Sequence, residues 1–225
     1  MNRSIIPFSI GLIIIAGLLI GIFWLNQPPP IVLDGVEIRE YEGKMLSSVE
    51  DFRENSIKGP QYLEIDTYSL SFLGLNGETS ELTYSQIVTE LPAYKKIVTL
   101  YCVEGWKATI LWEGVLVEDL IKKTGVSLEG EAVIFYAADG YSTALPKDYL
   151  IENKILLAYR MNNVTLPDER GFPFQLVAES KYGYKWIKWV TKIEMSNNTN
   201  YLGFWESQGY PNDADLPDDV DSYFP

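Results

Sequence analysis

The sequence predicts an α+β fold: one domain dominated by mixed or antiparallel β-sheet, preceded by a single N-terminal transmembrane helix. Three observations carry this. Short runs rich in β-branched and aromatic residues recur, separated by turns containing Gly, Pro and Asn. Helical spacing shows in only two short stretches. An uncharged apolar run opens the chain.

That run, Ile5 to Leu25, is 21 residues long. At ~1.5 Å per residue it reaches about 31 Å as a helix, enough to span a bilayer core. It leads through Trp24, Leu25, Asn26 and Gln27 into Pro28-Pro-Pro30 without a small-residue cleavage pattern, so an uncleaved anchor is expected. Arg3 and the amino terminus precede it, whereas Asp34, Glu37 and Glu40 follow. This asymmetry places a single-pass protein in the cell membrane with its domain on the extracytoplasmic side.

The organisation expected is a short tail at 1–4, the anchor at 5–25, a linker and lead-in at 26–58, a domain at 59–215 and an acidic tail at 216–225. Within the domain, Tyr68-Ser-Leu-Ser-Phe72 alternates polar and apolar residues and is followed by Asn76-Gly77, a hairpin signature. Thr83 to Thr89 reads as a short helix ending before Pro92, and Leu116 to Lys123 as a second with Gly125 as its stop. Strands are expected over Lys96–Leu100, Lys107–Trp112, Ala132–Ala138, Ile155–Met161, Phe174–Ala178 and Trp186–Met195. Five aspartates between Asn212 and Asp221 make that stretch too polar to pack, and their spacing is not that of a calcium loop.

Composition removes several chemistries. With 31 acidic against 18 basic residues, nucleic acid is a poor partner. The absence of histidine and the presence of one cysteine exclude Ser-His-Asp catalysis, axial-histidine haem, Cys/His zinc sites and cysteine-ligated iron–sulfur clusters within this sequence.

Three segments could carry chemistry. Cys102 lies in Leu100-Tyr-Cys-Val-Glu-Gly-Trp106, where an apolar strand runs into glycine. It is either a small buried hydrophobe or a soft thiolate whose metal would need further ligands from a cofactor. Asp139-Gly140, followed by Tyr141, Ser142 and Thr143, marks a tight turn with several hydroxyls, or simply a hairpin tip. Lys181-Tyr-Gly-Tyr-Lys-Trp-Ile-Lys-Trp189 is basic and aromatic inside an acidic protein. Its lysines and Gly183 suit a phosphate, and an amphipathic strand with lysines outward is the alternative.

Taken in order, Cys102-Val-Glu-Gly-Trp106, Trp112-Glu-Gly-Val-Leu-Val-Glu-Asp-Leu120, Asp139-Gly-Tyr-Ser-Thr-Ala-Leu-Pro146, Leu156-Leu-Ala-Tyr159 and Lys181-Tyr-Gly-Tyr-Lys185 with Lys188-Trp189 resemble the sulfite-oxidase-like molybdopterin-binding oxidoreductases. Gly203-Phe-Trp-Glu206, Gly209-Tyr210 and Asn212-Asp-Ala-Asp215 resemble the ending of small prokaryotic members. The resemblance spans roughly Gln61 to Asp215. It implies the mixed-sheet sulfite-oxidase-like fold and a mononuclear molybdenum, or tungsten, on a single pterin cofactor. It also implies two-electron oxygen-atom transfer on a small substrate such as a sulfoxide. By position, Cys102 would ligate the metal, with Asp139 and Tyr141 at the pocket mouth as further catalytic candidates. Arg170, Lys181, Tyr182, Gly183, Tyr184, Lys185 and Lys188 would line the pterin and its phosphate.

One departure bears on substrate: where relatives often read His-Gly-x-Pro-x-Arg, this chain reads Arg170-Gly-Phe-Pro-Phe-Gln175. The change from arginine to Gln175 keeps a hydrogen bond and loses a charge, which disfavours an anion such as sulfite. A separate electron-transfer partner, a cytochrome or membrane redox carrier, is expected because the sequence offers no haem or iron–sulfur ligands. The alternative is a cofactor-free domain of the same fold acting as an extracytoplasmic binding module. A carbohydrate-binding or hydrolytic reading of the 30 aromatic residues leaves the ordered motifs unexplained.

Overall fold

The computed structural model describes residues 35–224. The transmembrane segment expected at 5–25 lies outside them, and among the described residues no helix is long and apolar enough to cross a membrane. A small hairpin, β1 (Glu40–Tyr41) and β2 (Lys44–Met45), comes first. The alternating stretch then forms β3 (Ser69–Leu73), burying Leu70 and Phe72 and exposing the residues between them more. The chain turns through Gly77 at φ +87°, a backbone region that glycine enters without strain, into β4 (Thr79–Thr83).

Helix α1 (Tyr84–Glu90) starts on a reciprocal cap. The Gln86 N–H donates to Thr83 Oγ1 at 3.2 Å, and the Thr83 N–H donates to Gln86 Oε1 at 2.9 Å. Two long strands follow, β5 (Tyr94–Tyr101) and β6 (Lys107–Leu116), then α2 (Val117–Thr124), closed by Gly125 at φ +72°. The remainder runs β7 (Ala132–Ala137), β8 (Ser142–Pro146), α3 (Lys147–Glu152), β9 (Leu156–Met161), β10 (Val164–Thr165), β11 (Gln175–Val177) and β12 (Val190–Ser196).

These strands form two five-stranded sheets. One has the order β10-β9-β6-β5 with β11 also on β9, and every pair in it is antiparallel. The other, β4-β3-β12-β7-β8, is mixed because β3 and β12 pair in parallel. Side chains of both sheets share one apolar cluster, in which Trp112 of β6 packs against Trp186 at 5.7 Å between ring centroids and donates its indole N–H to the Val98 carbonyl at 3.2 Å.

Gly114 sits where the β6–β9 register shifts. A Cβ there would fall 2.2 Å from the Leu157 carbonyl oxygen and 2.6 Å from Ala158 Cα, neither of which can swing away. Gly114→Ala is expected to lower stability by about 1–3 kcal/mol in urea unfolding, as overpacking does.

The sequence reading is revised at five points. The strand expected from Trp186 starts only at Val190, because Trp189 takes φ +51° and Gly183–Lys185 form a 3-10 turn. Lys185 of that turn points inward and is fully buried, so the outward-lysine strand is not formed. Helix α3 escaped notice because it buries only Leu150 and so has no apolar stripe to read. The segment expected as a polar tail is attached: Tyr101 and Lys107 donate to Asp221 Oδ1 at 2.9 and 3.2 Å, and Phe224 packs on Tyr101. The lead-in, from Gly35 onward, is likewise joined to the sheets, with Leu46 and Val49 buried and the Ser47 N–H donating to Thr109 at 2.8 Å.

Candidate active site

A cleft of about 440 Å³ opens where β5 ends, and Cys102 lies in its wall. The sequence forces a tight reversal there. The Cys102 N–H donates to the Trp106 carbonyl at 2.9 Å and the Gly105 N–H to the Cys102 carbonyl at 3.0 Å, with Gly105 at φ +87°. Burial pushes the Cys102 thiol upward from its ordinary range; the neighbouring backbone, the Asn55 amide and Arg53 pull the other way. Asn55 Nδ2 lies 3.5 Å from Sγ and 3.3 Å from Glu104 Oε2.

The opposite wall is the turn at Gly183 and the residues after it. A Cβ on Gly183 would stand 3.4 Å from the Tyr101 carbonyl oxygen and 3.8 Å from Cys102 Cα, so this glycine brings the turn against the thiol-bearing strand end. Asp139, buried, accepts the Tyr141 N–H at 2.9 Å and so holds the tight turn expected at Asp139-Gly140. The Tyr141 hydroxyl donates to the Tyr184 carbonyl at 2.5 Å, tying the two walls together, and burial raises its pKa strongly, with Glu206 and Asp139 adding to the effect.

The structure divides the sequence candidates. Cys102, Asp139, Tyr141, Arg170, Gly183, Tyr184 and Lys188 all line the cleft, whereas Lys181, Tyr182 and Lys185 do not. Lys181 pairs with Asp215 and lies over the Tyr149 ring at 4.8 Å. The Tyr182 ring stacks on Tyr184. Lys185 donates to Glu206 at 2.5 Å and to the Ala144 carbonyl and Asn212 Oδ1, each at 3.1 Å, which engages all three of its N–H groups.

Arg170 reaches the cleft with most of its donors already committed. It donates to the carbonyls of Val49 at 2.8 Å, Phe52 at 2.7 Å and Arg53 at 3.2 Å, and its guanidinium carbon sits 3.9 Å from the Phe52 ring centroid. Lys188 donates to Glu54 at 2.5 Å and to the Glu169 carbonyl at 3.1 Å; burial lowers its pKa against the opposing pull of Glu54. The segment around Phe52 to Gly59, unmarked by any sequence motif, is thus a complete wall of the cleft. Asn55 is the functional candidate that sequence reasoning missed. Trp205 and Tyr210, from the ending that resembles small prokaryotic members, line the cleft as well.

The charges facing the cleft are three cationic side chains, Arg53, Arg170 and Lys188, and four acidic ones, Glu54, Glu104, Asp139 and Glu169. The donor set is one soft sulfur. Among the described residues, no group of three or more Cys, Asp or Glu side chains could hold a metal ion unaided. A metal at Cys102 therefore has to bring most of its ligands with it.

A family model for the oxidoreductase molybdopterin binding domain matches residues 57–205. The chain belongs to this sulfite-oxidase-like family of molybdopterin oxidoreductases. Among its relatives is the uncharacterized oxidoreductase YuiH of Bacillus subtilis, 34% identical over 152 residues that cover 67% of this chain and 76% of that protein. The putative protein-methionine-sulfoxide reductase subunit YedZ1 of Azospira oryzae is 27% identical over 190 residues, covering 83% of this chain and 69% of that one. Human mitochondrial sulfite oxidase is 27% identical over 213 residues, covering 82% of this chain but only 37% of its own length. The crystal structure of the sulfane dehydrogenase SoxCD from Paracoccus pantotrophus shares the fold, with TM-score 0.58 and 21% identity over 62% of this chain and 40% of that one.

As a molybdopterin oxidoreductase, the chain is an enzyme with an implied molybdenum cofactor. Its site fits that group, since a lone thiolate on a cleft wall complements a metal already chelated by a pterin dithiolene. Cys102 would hold the metal, and Gly183, Tyr184, Lys188 and Arg170 are the expected cofactor contacts that face the cleft.

Proposed function

We propose that this protein is a membrane-anchored, extracytoplasmic oxidoreductase that transfers an oxygen atom to or from a small neutral substrate, with a sulfoxide as the leading class. The observation that carries the proposal is the single thiol, Cys102, in the wall of the cleft of about 440 Å³, a volume in the range of small-molecule sites. When bound, the molybdenum or tungsten pterin supplies the two-electron redox chemistry. The protein's own residues do the rest: Cys102 anchors the metal, Asn55 and the 102–106 turn orient the thiol, and Asp139 and Tyr141 hold two walls in register.

The neutral class is favoured by charge. Acidic side chains outnumber basic ones around the cleft, two of the three cations are paired with Glu54 and Glu104, and Gln175 stands where relatives often carry arginine. An anion such as sulfite would compete with Glu54 and Glu104 for Lys188 and Arg53 and with backbone carbonyls for Arg170, and like-charge juxtaposition with the surplus carboxylates is costly. Reduction of a sulfoxide consumes two electrons and two protons and yields a thioether and water, so a separate electron donor is required. A cytochrome or membrane redox carrier fits, because the sequence has no histidine and only one cysteine.

The test combines elemental analysis of the detergent-solubilised native protein with steady-state turnover using a reduced viologen donor for methionine sulfoxide and dimethyl sulfoxide, and an oxidised acceptor for sulfite. Stoichiometric molybdenum or tungsten is expected, with kcat/KM for a sulfoxide at least about tenfold above that for sulfite. Metal-free protein from its own host would instead establish the cofactor-free binding domain, and a preference for sulfite would overturn the charge argument. The anchor has its own check: after carbonate washing the protein is expected in the membrane pellet, and release into the supernatant would refute it.

A further inference from the structure

The segment Gly203 to Asn212 is an arm that contributes Trp205 and Tyr210 to the cleft, yet most of it is in solvent: Trp205 is 38% and Tyr210 36% exposed. Gly203 is buried, and so is Glu206. Its side chain is fully enclosed, as is that of Lys185, the two 2.5 Å apart, and Glu206 Oε1 also accepts the Thr143 hydroxyl at 2.6 Å while Oε2 has no hydrogen-bond partner. Lys185 reaches in addition to Asn212 at the far end of the arm, so the buried node holds both its middle and that end. Gly203 makes the approach possible, because a Cβ there would fall 2.2 Å from the Ser142 carbonyl oxygen. The Tyr184 hydroxyl adds a bond to the Pro211 carbonyl at 2.8 Å, and Tyr210 packs on both Tyr184 and Trp205.

A buried ion pair is a poor source of stability, since desolvating both charges offsets most of their attraction, and its best attested use is to fix register. Resting on the functional reading above, we infer that Lys185 and Glu206 are positioning residues that lock the arm, and that Trp205 and Tyr210 form the aromatic rim against which the apolar substituents of the substrate lie. Aromatic faces suit the flanks of a thioether or sulfoxide, because sulfur packs favourably at ring edges. Lys185 thereby serves the substrate side of the cleft and not the cofactor phosphate.

The experiment replaces the pair by apolar groups of similar size, Lys185→Met with Glu206→Met, in the full-length holoenzyme, which leaves no lone buried charge. Chymotrypsin, which cuts after aromatic residues not followed by proline, is expected to cleave after Phe204 or Trp205 several-fold faster than in the parent. Metal content is expected to hold, and KM to rise about three- to tenfold at constant kcat, the weight of one aromatic contact. Unchanged cleavage overturns the clamp, and loss of metal returns Lys185 to the cofactor. Should the double variant fail to fold, the solvent-exposed changes Trp205→Ala and Tyr210→Ala decide the rim: a raised KM with intact metal supports it and an unchanged KM overturns it. Metal-free parent protein would refute the functional reading, while the cleavage comparison, which needs no cofactor, would still decide the role of the pair.

Discussion

Cys102→Ser is expected to yield a folded protein without molybdenum and without oxygen-atom-transfer activity. Serine is close in size, and the side chain it replaces sits at a turn secured by backbone bonds from Cys102 and Gly105, so the change in stability should stay within about 1 kcal/mol. The effect on the metal is much larger. A hydroxyl is a hard, weakly acidic donor in place of a soft thiolate, and among the described residues no acidic or thiol cluster could compensate. Disturbing groups that merely support a ligand costs about 10–100-fold in affinity or activity, so loss of the ligand itself should exceed about 100-fold. Elemental analysis and steady-state kinetics on the variant, with circular dichroism as the folding control, measure this. Full metal content and activity in Cys102→Ser would remove the thiol from the site.

Arg170→Ala is expected to be the most destabilising single change in the cleft wall. Its guanidinium donates to three carbonyls of the 49–53 segment and covers Phe52. Hydrogen bonds to a charged donor are worth about 1.5–3 kcal/mol each, and they do not add fully because released carbonyls regain water, so a loss of about 3–5 kcal/mol is expected. For a body of this size that lowers the melting temperature by roughly 10 °C. Arg170→Lys should recover only a minor part, since an ammonium cannot present the planar fork that reaches three acceptors at once. Thermal unfolding followed by far-ultraviolet circular dichroism reads the result, and a melting temperature equal to that of the parent would show that the 49–53 segment is held by its apolar contacts alone.

Much of the fold was legible because burial imposes a period on strands. Ser69-Leu-Ser-Phe-Leu73 reads as a half-buried strand in either representation, and Gly125 and Pro92 end helices for local reasons. The thiol was legible from chemistry, as one cysteine at a strand end before a glycine, and so was the Asp139 turn. What escaped depends on partners far along the chain. Lysines at 181, 185 and 188 look alike in sequence, yet one pairs with Asp215, one with Glu206 and one with Glu54. Arg170 looks like an anion ligand until the carbonyls of Val49, Phe52 and Arg53 occupy it. Asn55 belongs to a stretch without periodicity and acquires meaning only through its distance to Cys102 Sγ.

The parallel pairing of β3 with β12 sets the order in which this enzyme can be made. Ser71 lies opposite Lys192, so the central seam of the mixed sheet cannot close until synthesis has passed Lys192, about 120 residues later. The cleft draws its walls from residues as far apart as Phe52 and Tyr210, on either side of that seam. A fragment that ends before β12 lacks both that seam and the Trp205–Tyr210 side of the cleft, so loading of a prosthetic group is expected to follow synthesis of that strand.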